Sequence, residues 1–296
     1  MGTPPWAILA LAPFAADAAW AEARGELRWE HLAALGLAAT LLAAGACTRR
    51  FLAGAYPFTL VAVLYDATSP FASVGVTPDR VHLCDLRARE LALFGTTMNG
   101  ERVTWHDWWQ AHPSHVLDVI CAVPYATFII ACCACAAWLF VRDHARFVRF
   151  CWSFFALNVT GFATYQLYPA APPWYFHSHG CTVDTATRAS AGPALTRVDD
   201  WLGVGYFAGM YGRASHVFGA MPSLHVGYAF IIVLVGWASF SLAWRAASIA
   251  FYALMAFSAV YLDHHWILDT IAGSAFSVAA VVIVGGVARA RRVATP

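Results

Sequence analysis

The chain has 296 residues and a mass of 32.1 kDa; 60% of the residues are hydrophobic and only 12% are charged. This composition excludes a disordered chain, a coiled coil, a small secreted cysteine scaffold and an ordinary soluble domain, and it indicates an integral membrane protein. The formal net charge of +1 gives no basic surface for nucleic acid. All 18 basic residues are arginine, which excludes a Schiff-base lysine and a phosphate-binding loop of the Walker type.

Apolar runs along the chain predict seven membrane-spanning helices. A span needs about 20 apolar residues, so the first two runs are short. Residues 6–21 form a further brief apolar run, which predicts either a helix at the membrane interface or an extra span. The seven predicted spans are residues 31–47, 51–66, 117–140, 147–168, 223–243, 246–263 and 267–288.

Arginine clusters orient these spans. They fall in alternate connections, after the first, third, fifth and seventh spans. Because basic residues are retained in cytoplasmic loops, the opposite, outer face receives residues 67–116, residues 169–222 and a tight turn near residues 264–266. Charged and apolar residues alternate at helical spacing within 67–116, and we expect short helices lying on the outer surface there.

Three groups of polar and aromatic residues map to this outer face. The first follows the span 147–168 and contains Tyr168, Trp174 and Tyr175 among successive prolines, a pattern that is also typical of a plain helix end with an aromatic belt. The second is Pro-Ser-Leu-His, ending at His225. Here Ser223 is a candidate N-cap, and the free N–H groups of a helix start can bind an anion.

The third group opens the last span with His265 and Asp269. The two residues are four apart and share one helix face. The carboxylate of Asp269 can hydrogen-bond one ring nitrogen of His265, which fixes the tautomer and leaves the other nitrogen free for nucleophilic attack. A polar helix start at the interface is the simpler interpretation, but it does not explain a carboxylate one turn deeper.

Cysteine occurs in two patterns outside the predicted spans. His177, His179 and Cys181 have zinc-ligand spacing, but no second half of a site is apparent, so we predict no metal site. Cys84 and Cys181 lie in the two outer segments. A disulfide between them is possible if the outer face is an oxidising compartment.

These motifs together resemble the type 2 phosphatidic acid phosphatase superfamily, which acts on lipid phosphates. Pro-Ser-Leu-His at 222–225 matches the second motif of that superfamily, and Ser258 through His265 to Asp269 match the third. Ala259 replaces the arginine of the third motif, and the lysine-containing first motif is absent. The stretches 168–175, 218–225 and 261–269 together are most similar to the inositol phosphorylceramide synthase branch, in which Pro-Ser-Leu-His and His-His are usual.

The resemblance implies an all-α, polytopic membrane helical bundle. A six-helix phosphatase-like core would occupy residues 51–296, and residues 1–50 would add an N-terminal membrane span. Surface helices would come from the outer segments 67–116 and 169–222. The expected location is a bacterial inner membrane, with the active site facing the periplasm.

The resemblance also implies a mechanism residue by residue. His265 would attack phosphorus and form a phosphohistidine, Asp269 would support its charged ring, and His225 would protonate the leaving alcohol. Ser223 would hold phosphate oxygens, with Arg213 or His264 replacing the missing cations. Tyr168, Trp174 and Tyr175 would help to exclude water. No metal or cofactor is expected, and the partners would be lipids: a phosphatidylinositol-type donor and a ceramide-type acceptor.

Three alternatives remain open from the sequence. A lipid phosphatase acting on phosphatidate or prenyl pyrophosphate would use the same residues. A haem protein could use His225 and His265 as axial ligands. A channel or transporter could use the outer polar cluster, although the inner halves of the spans 223–243 and 267–288 lack the ionisable residues of a through-path.

Overall fold

The computed structural model describes residues 9–212, 214 and 216–294. The predicted all-α class is confirmed for this part of the chain, in which helices form the whole framework beside one small sheet. In chain order the helices are α1 Ala12–Ala23, α2 Trp29–Ala44, α3 Ala46–Thr68, α4 Cys84–Phe94, α5 Trp105–Ala111, α6 His115–Arg142, α7 His144–Leu167, α8 Pro173–His179, α9 Gly192–Leu202, α10 Tyr206–Tyr211, α11 Leu224–Gly236, α12 Leu242–Tyr261 and α13 Ile267–Ala294.

A helix occupies each of the seven predicted spans, but the helices differ in their capacity to cross a bilayer. Within the described residues, four segments are long and apolar enough to do so, which confirms a helical membrane protein: Ala46–Phe71, His115–Arg142, Leu242–Tyr261 and Ile267–Ala290. The helix α2 has 16 residues, and α11 has 13 because it ends at Gly236 rather than near residue 243. The helix α7 has 24 residues but carries Arg146 and Arg149 in its first turns.

The N-terminal apolar run corresponds in part to α1. This helix has 12 described residues, which rise about 18 Å at 1.5 Å per residue. The hydrocarbon core of a bilayer is about 30 Å thick. The described helix is therefore too short to span, and it packs instead against α2 and α3, with the Phe14 ring edge-on to Tyr56.

The helices α7 and α11 form the centre of the bundle. The helix α7 packs against α3, α6, α11 and α13, while α11 also packs against α6, α12 and α13. The starts of α11 and α13 are in direct contact, since the Ser223 N–H donates to the Asp269 carbonyl at 2.9 Å. A Cβ atom on Gly273 would lie 2.2 Å from the Ser223 carbonyl oxygen, so this close approach requires glycine.

The outer segment 67–116 contains the expected short helices, α4 and α5. It also contains a hairpin that we did not predict, in which β1 (Thr96–Met98) pairs antiparallel with β2 (Glu101–Val103). The hairpin turns at Asn99 and Gly100, which have positive φ angles of 53° and 84°. Asn-Gly is a strong sequence signal for such a turn and could have revealed the hairpin.

The two outer segments, 67–116 and 169–222, are joined to each other by backbone bridges and by a disulfide. Backbone bridges connect His82 to Ala170 and Ala170 to Gly219. A disulfide joins Cys84 to Cys181 with a Cα–Cα distance of 5.7 Å, within the usual range. The disulfide considered from the sequence is therefore present, and it closes the outer cap, as we name the two segments 67–116 and 169–222 together.

Candidate active site

The structure brings together two histidines that the sequence placed at the starts of different helices. His225 lies in the first turn of α11, and His265 lies in the loop just before α13. The Nδ1 atom of His225 is 3.2 Å from the Nε2 atom of His265. The hydroxyl of Tyr211 lies 3.4 Å from the His225 Nε2 atom, and the Tyr125 ring stacks on the His225 imidazole at 4.6 Å. We call His225 and His265 the histidine pair.

The tautomer of His265 follows from its backbone partner. Its Nδ1 atom is 2.8 Å from the carbonyl oxygen of Ala220. A carbonyl oxygen only accepts hydrogen bonds, so Nδ1 carries the proton and Nε2 keeps a lone pair. That lone pair faces His225, whose Nδ1 atom is then the donor. Ala220 belongs to the outer cap and receives its own position from Ala170, whose carbonyl accepts the Ala220 N–H at 3.0 Å.

The predicted hydrogen bond from His265 to Asp269 is therefore replaced by the bond to Ala220. The Asp269 carboxylate is buried, and its Oδ2 atom lies 3.8 Å from His265 Nδ1. The same oxygen accepts the Trp266 N–H at 2.9 Å. Asp269 thus caps the start of α13 and places a negative charge beside the ring of His265, while the carbonyl of Ala220 holds the ring in place.

Ser223 is a buried N-cap of α11, as predicted. Its hydroxyl oxygen accepts the Val226 N–H at 3.4 Å, and its own N–H is bound to the Asp269 carbonyl. Two N–H groups at this helix start are therefore already engaged. Any phosphate contact by Ser223 would have to use the hydroxyl proton.

His264 has a backbone partner and is not a cation at neutral pH. Its Nε2 atom donates to the Ala191 carbonyl at 2.6 Å. Burial lowers the pKa of His264 to about 4, against the raising effect of that hydrogen bond. His264 therefore does not supply the charge of the missing superfamily cations. Arg213, the other candidate, lies outside the described residues.

The three predicted aromatic residues lie in the outer cap. Tyr168 stacks on the His82 ring at 3.8 Å. The Trp174 backbone N–H donates to the Asp263 carbonyl at 3.0 Å, and the Tyr175 hydroxyl accepts the Asp184 N–H at 2.7 Å. Trp174 and Tyr175 are both buried. These contacts give all three a part in building the cap.

Sequence analysis missed a second cluster of ionisable groups beside the same loop. The His177 ring lies 2.6 Å from Asp263 and 3.0 Å from Asp107. The buried His106 lies 3.4 Å from Asp263 and 3.7 Å from Glu90. We call these five residues the outer histidine network. Asp263 immediately precedes the two histidines of the loop, but no spacing in the sequence pairs it with His106 or His177.

The carboxylates of the outer histidine network raise the pKa of both its histidines. Burial opposes protonation of His177, but hydrogen bonds to Asp107 and Asp263 outweigh it and raise its pKa to about 9. Burial likewise opposes ionisation of Asp263, but the neighbouring His106 and the hydrogen-bonded His177 hold the pKa of this carboxyl below its ordinary value. Glu90 accepts the N–H groups of Ile267 and Leu268 at 2.8 and 3.3 Å, which ties the network to the start of α13.

An apolar cavity adjoins the histidine pair. It has a volume of about 460 Å³ and is lined by aromatic and aliphatic side chains of α3, α6, α7, α10 and α11, as well as by His225 and His265. Tyr65 on α3 and Ile129 on α6 also line the cavity, and they keep 37% and 46% of their surface exposed. The cavity therefore reaches the flank of the bundle between these two helices, where a lipid chain could enter.

The geometry argues against two possibilities considered from the sequence, a metal site at His177, His179 and Cys181 and a haem bound by His225 and His265. Cys181 is bonded to Cys84, and His179 lies 3.3 Å from the Tyr175 carbonyl, so the trio His177, His179 and Cys181 does not form a metal site. A haem bound by His225 and His265 would need its iron between the two ring nitrogens. Those nitrogens are 3.2 Å apart and in direct contact, which leaves no space for a macrocycle.

Comparisons with known proteins give the family of the chain. The sequence profile of the PAP2 superfamily matches residues 89–283. The chain is 32% identical over 254 residues to the phosphoinositol dihydroceramide synthase of Bacteroides thetaiotaomicron, across 83% of this chain and 81% of that protein. It is 29% identical over 232 residues to the inositol phosphorylceramide synthase catalytic subunit AUR1 of Saccharomyces cerevisiae, across 78% and 55% of the two chains. No solved structure gives a significant match.

Proposed function

The chain belongs to the PAP2 superfamily and is an enzyme of its lipid phosphotransferase and phosphatase class, and from this premise we propose that it transfers a phosphoinositol-type headgroup from a phospholipid donor to a ceramide-type lipid alcohol. The observation that carries the proposal is the position of the histidine pair on the wall of the 460 Å³ apolar cavity. This arrangement sets a nucleophile and a proton carrier beside a space suited to lipid chains. The names of the relatives from Bacteroides and yeast support the choice of headgroup and acceptor.

In the first half of the proposed reaction, the Nε2 lone pair of His265 attacks phosphorus. The bond from phosphorus to the diacylglycerol oxygen breaks, and His225 gives a proton to that oxygen. The Nε2 atom of His265 is in contact with the Nδ1 atom of His225. The two rings must therefore separate so that phosphorus can reach the Nε2 lone pair. The His265 ring gains positive charge as the P–N bond forms. Its Nδ1–H bond to the Ala220 carbonyl and the charge of Asp269 at 3.8 Å both stabilise that state.

In the second half, the acceptor hydroxyl gives its proton to His225 and attacks phosphorus. The P–N bond breaks and His265 is regenerated with its lone pair. Arg213 remains our candidate for the cation that holds the phosphate oxygens, because it lies two residues after Tyr211, which contacts His225. Ser223 would add its hydroxyl proton as a donor.

Transfer to a lipid must be faster than hydrolysis. A well-oriented bound alcohol can reach an effective molarity of about 10⁵ M or more, far above the concentration of water. The cavity supports this orientation by holding the acceptor chain beside His225. The buried Trp174 and Trp266 would limit the access of water to the phosphohistidine.

We place the active site on the outer side of a bacterial inner membrane. The disulfide between Cys84 and Cys181 belongs to the same cap as Ala220, which contacts His265. Disulfides persist in oxidising compartments such as the periplasm. The disulfide and the alternation of arginine-rich connections therefore favour the same orientation.

The proposal is tested by incubating the purified chain in lipid nanodiscs with phosphatidylinositol and a short-chain ceramide, with and without a chelator. We expect inositol phosphorylceramide by mass spectrometry, at the same rate in chelator. His265→Ala should give no product, and His144→Gln at the start of α7 serves as the matched control with wild-type activity. Free inositol phosphate as the sole product would identify a phosphatase that uses the same residues and would contradict the transferase.

A further inference from the structure

A polar pair, away from the two active-site histidines, lies on the wall of the mainly apolar cavity. The Tyr228 hydroxyl donates to the Asn158 side-chain oxygen at 2.5 Å, and both residues line the cavity. The Asn158 amide also donates to the Phe154 carbonyl at 2.8 Å. Polar groups at membrane depth are costly and are retained where they have a function. The proposed mechanism does not use this pair.

The pair is held in a fixed position close to the reacting groups. Tyr228 follows His225 by three residues on α11, which places it about one helical turn deeper. Its ring stacks on Phe154, at 4.6 Å, and on Phe128, at 5.8 Å. Asn158 is fully buried, while Tyr228 keeps 8% of its surface exposed.

The hydrogen bonds within the pair leave mainly acceptors for a ligand. The Tyr228 proton is used on Asn158, so the Tyr228 oxygen keeps lone pairs for a ligand, while the fully buried Asn158 fixes the direction of the hydroxyl. One N–H of the Asn158 amide is used on Phe154. A lipid that brings a hydroxyl or amide proton to this depth would therefore find acceptors, whereas an ester would not donate to them.

We propose that Tyr228, oriented by its hydrogen bond to Asn158, accepts a hydrogen bond from the second hydroxyl of the acceptor lipid. The inference rests on the proposed function and adds the residues that select the acceptor. In a ceramide-type lipid, the two carbons after the reacting hydroxymethyl group carry an amide and a hydroxyl. With the reacting oxygen beside His225, these donors lie about one helical turn away, at the depth of Tyr228. Diacylglycerol carries esters there and gains no such bond.

The test compares two acceptors with the full chain in nanodiscs and phosphatidylinositol as donor. One acceptor is a short-chain ceramide, and the other is its 3-deoxy analogue. We expect the wild type to prefer the ceramide in kcat/KM by about tenfold, the effect of one hydrogen bond. Tyr228→Phe should reduce this preference to about twofold or less. Asn158→Leu should reduce it in the same way, which provides a second variant if one of them does not fold.

Tyr252→Phe is the matched control, because the Tyr252 hydroxyl is also paired with a side chain between helices, Ser274 at 2.9 Å, on α12 and α13. This variant should keep the wild-type preference. Transfer to both acceptors without preference in the wild type, or an unchanged preference in Tyr228→Phe, would overturn this role of Tyr228 while leaving the proposed function intact. No transfer to either acceptor would contradict the proposed function and the role of Tyr228 with it.

Discussion

The histidine pair and the outer histidine network each include a residue of the same loop, His265 and Asp263, yet their partners differ. His265 has the Ala220 carbonyl at 2.8 Å and a carboxylate only at 3.8 Å. His177 has carboxylates at 2.6 and 3.0 Å. A carbonyl fixes the proton of a neutral ring and leaves the other nitrogen with a lone pair, whereas two close carboxylates hold the proton on both nitrogens.

From this difference we propose that the histidine pair carries out the chemistry and that the outer histidine network positions the loop. The lone pair on His265 is what a nucleophile needs. The charged network instead anchors the loop, because Asp263 binds His177 and Glu90 binds the N–H groups at the start of α13. The number of histidines near a site therefore says little until the partner of each ring nitrogen is known.

Removing the second member of the histidine pair should give the largest effect. His225→Ala is expected to lower transfer from phosphatidylinositol by roughly 10²–10⁴, because the leaving alkoxide loses its proton donor. An activated donor with a nitrophenol leaving group needs no proton and should lose much less. The two rates are measured by product release in parallel assays. Equal losses with both donors would remove His225 from the general-acid role.

Removing the disulfide of the outer cap should have the next largest effect. This effect is on stability rather than on catalysis. The disulfide joins residues 97 apart in sequence, and for a loop of this size the chain-entropy model gives roughly 4–5 kcal/mol in the free energy of unfolding. The double variant Cys84→Ser, Cys181→Ser should therefore melt at a lower temperature and no longer respond to reductant. Cys133→Ser, at an exposed free cysteine, is the control. Two alkylatable outer thiols in the unreduced wild type would refute the bond.

Removing the charge of Asp263 should lower the free energy of unfolding by about 3 kcal/mol, less than the loss of the disulfide. This figure is the low end of the cost of breaking a buried ion pair. Asp263→Asn is the informative change, because Asp263 has a φ of 67° and asparagine also tolerates that conformation. The variant leaves His106 and the protonated His177 without their shared carboxylate. Thermal unfolding measures the loss. A melting temperature equal to that of the wild type would show that the network does not anchor the loop.

The smallest effect should be a dependence of stability on alkaline pH. The pKa of His177 is raised from 6.5 to about 9, so its stabilisation is complete below pH 6.5 and is lost as the pH rises through about 9. The melting temperature of the wild type should fall between about pH 7.5 and 10, and His177→Gln should flatten that slope. Hydrogen bonds hold the Asp263 pKa low, so that carboxylate stays ionised throughout this range. Parallel slopes for the two proteins would contradict the assignment.

The parts of the site that could be predicted are those set by short spacings. Ser223 and His225 share one helix start, and His265 and Asp269 are four residues apart, so local geometry was enough to nominate them. The resemblance to a superfamily then supplied their expected roles, which stay predictions. Apolar runs likewise predicted a helix at each of the seven expected spans, but only four segments of the described residues are long and apolar enough to cross a bilayer, and the early end of α11 at Gly236 was not predicted.

The parts that could not be predicted depend on contacts between distant residues. His177 and Asp263 are 86 residues apart, and Glu90 and Ile267 are 177 apart. The partner of His265 is a backbone carbonyl, that of Ala220, and every residue offers the same group whatever its side chain. No side-chain pattern marks such a partner, so the replacement of Asp269 by Ala220 could be learned only from the fold.

The central claim is that His265 carries the phosphoinositol group between the two lipids. The direct measurement starts by incubating the enzyme with phosphatidylinositol in the absence of acceptor. The reaction is then quenched under alkaline conditions, where a phosphohistidine survives, and the added mass is mapped by mass spectrometry. We predict inositol phosphate on His265, its disappearance when ceramide is added, and no adduct in His265→Ala. Turnover without any adduct, or an adduct on another residue, would contradict the claim.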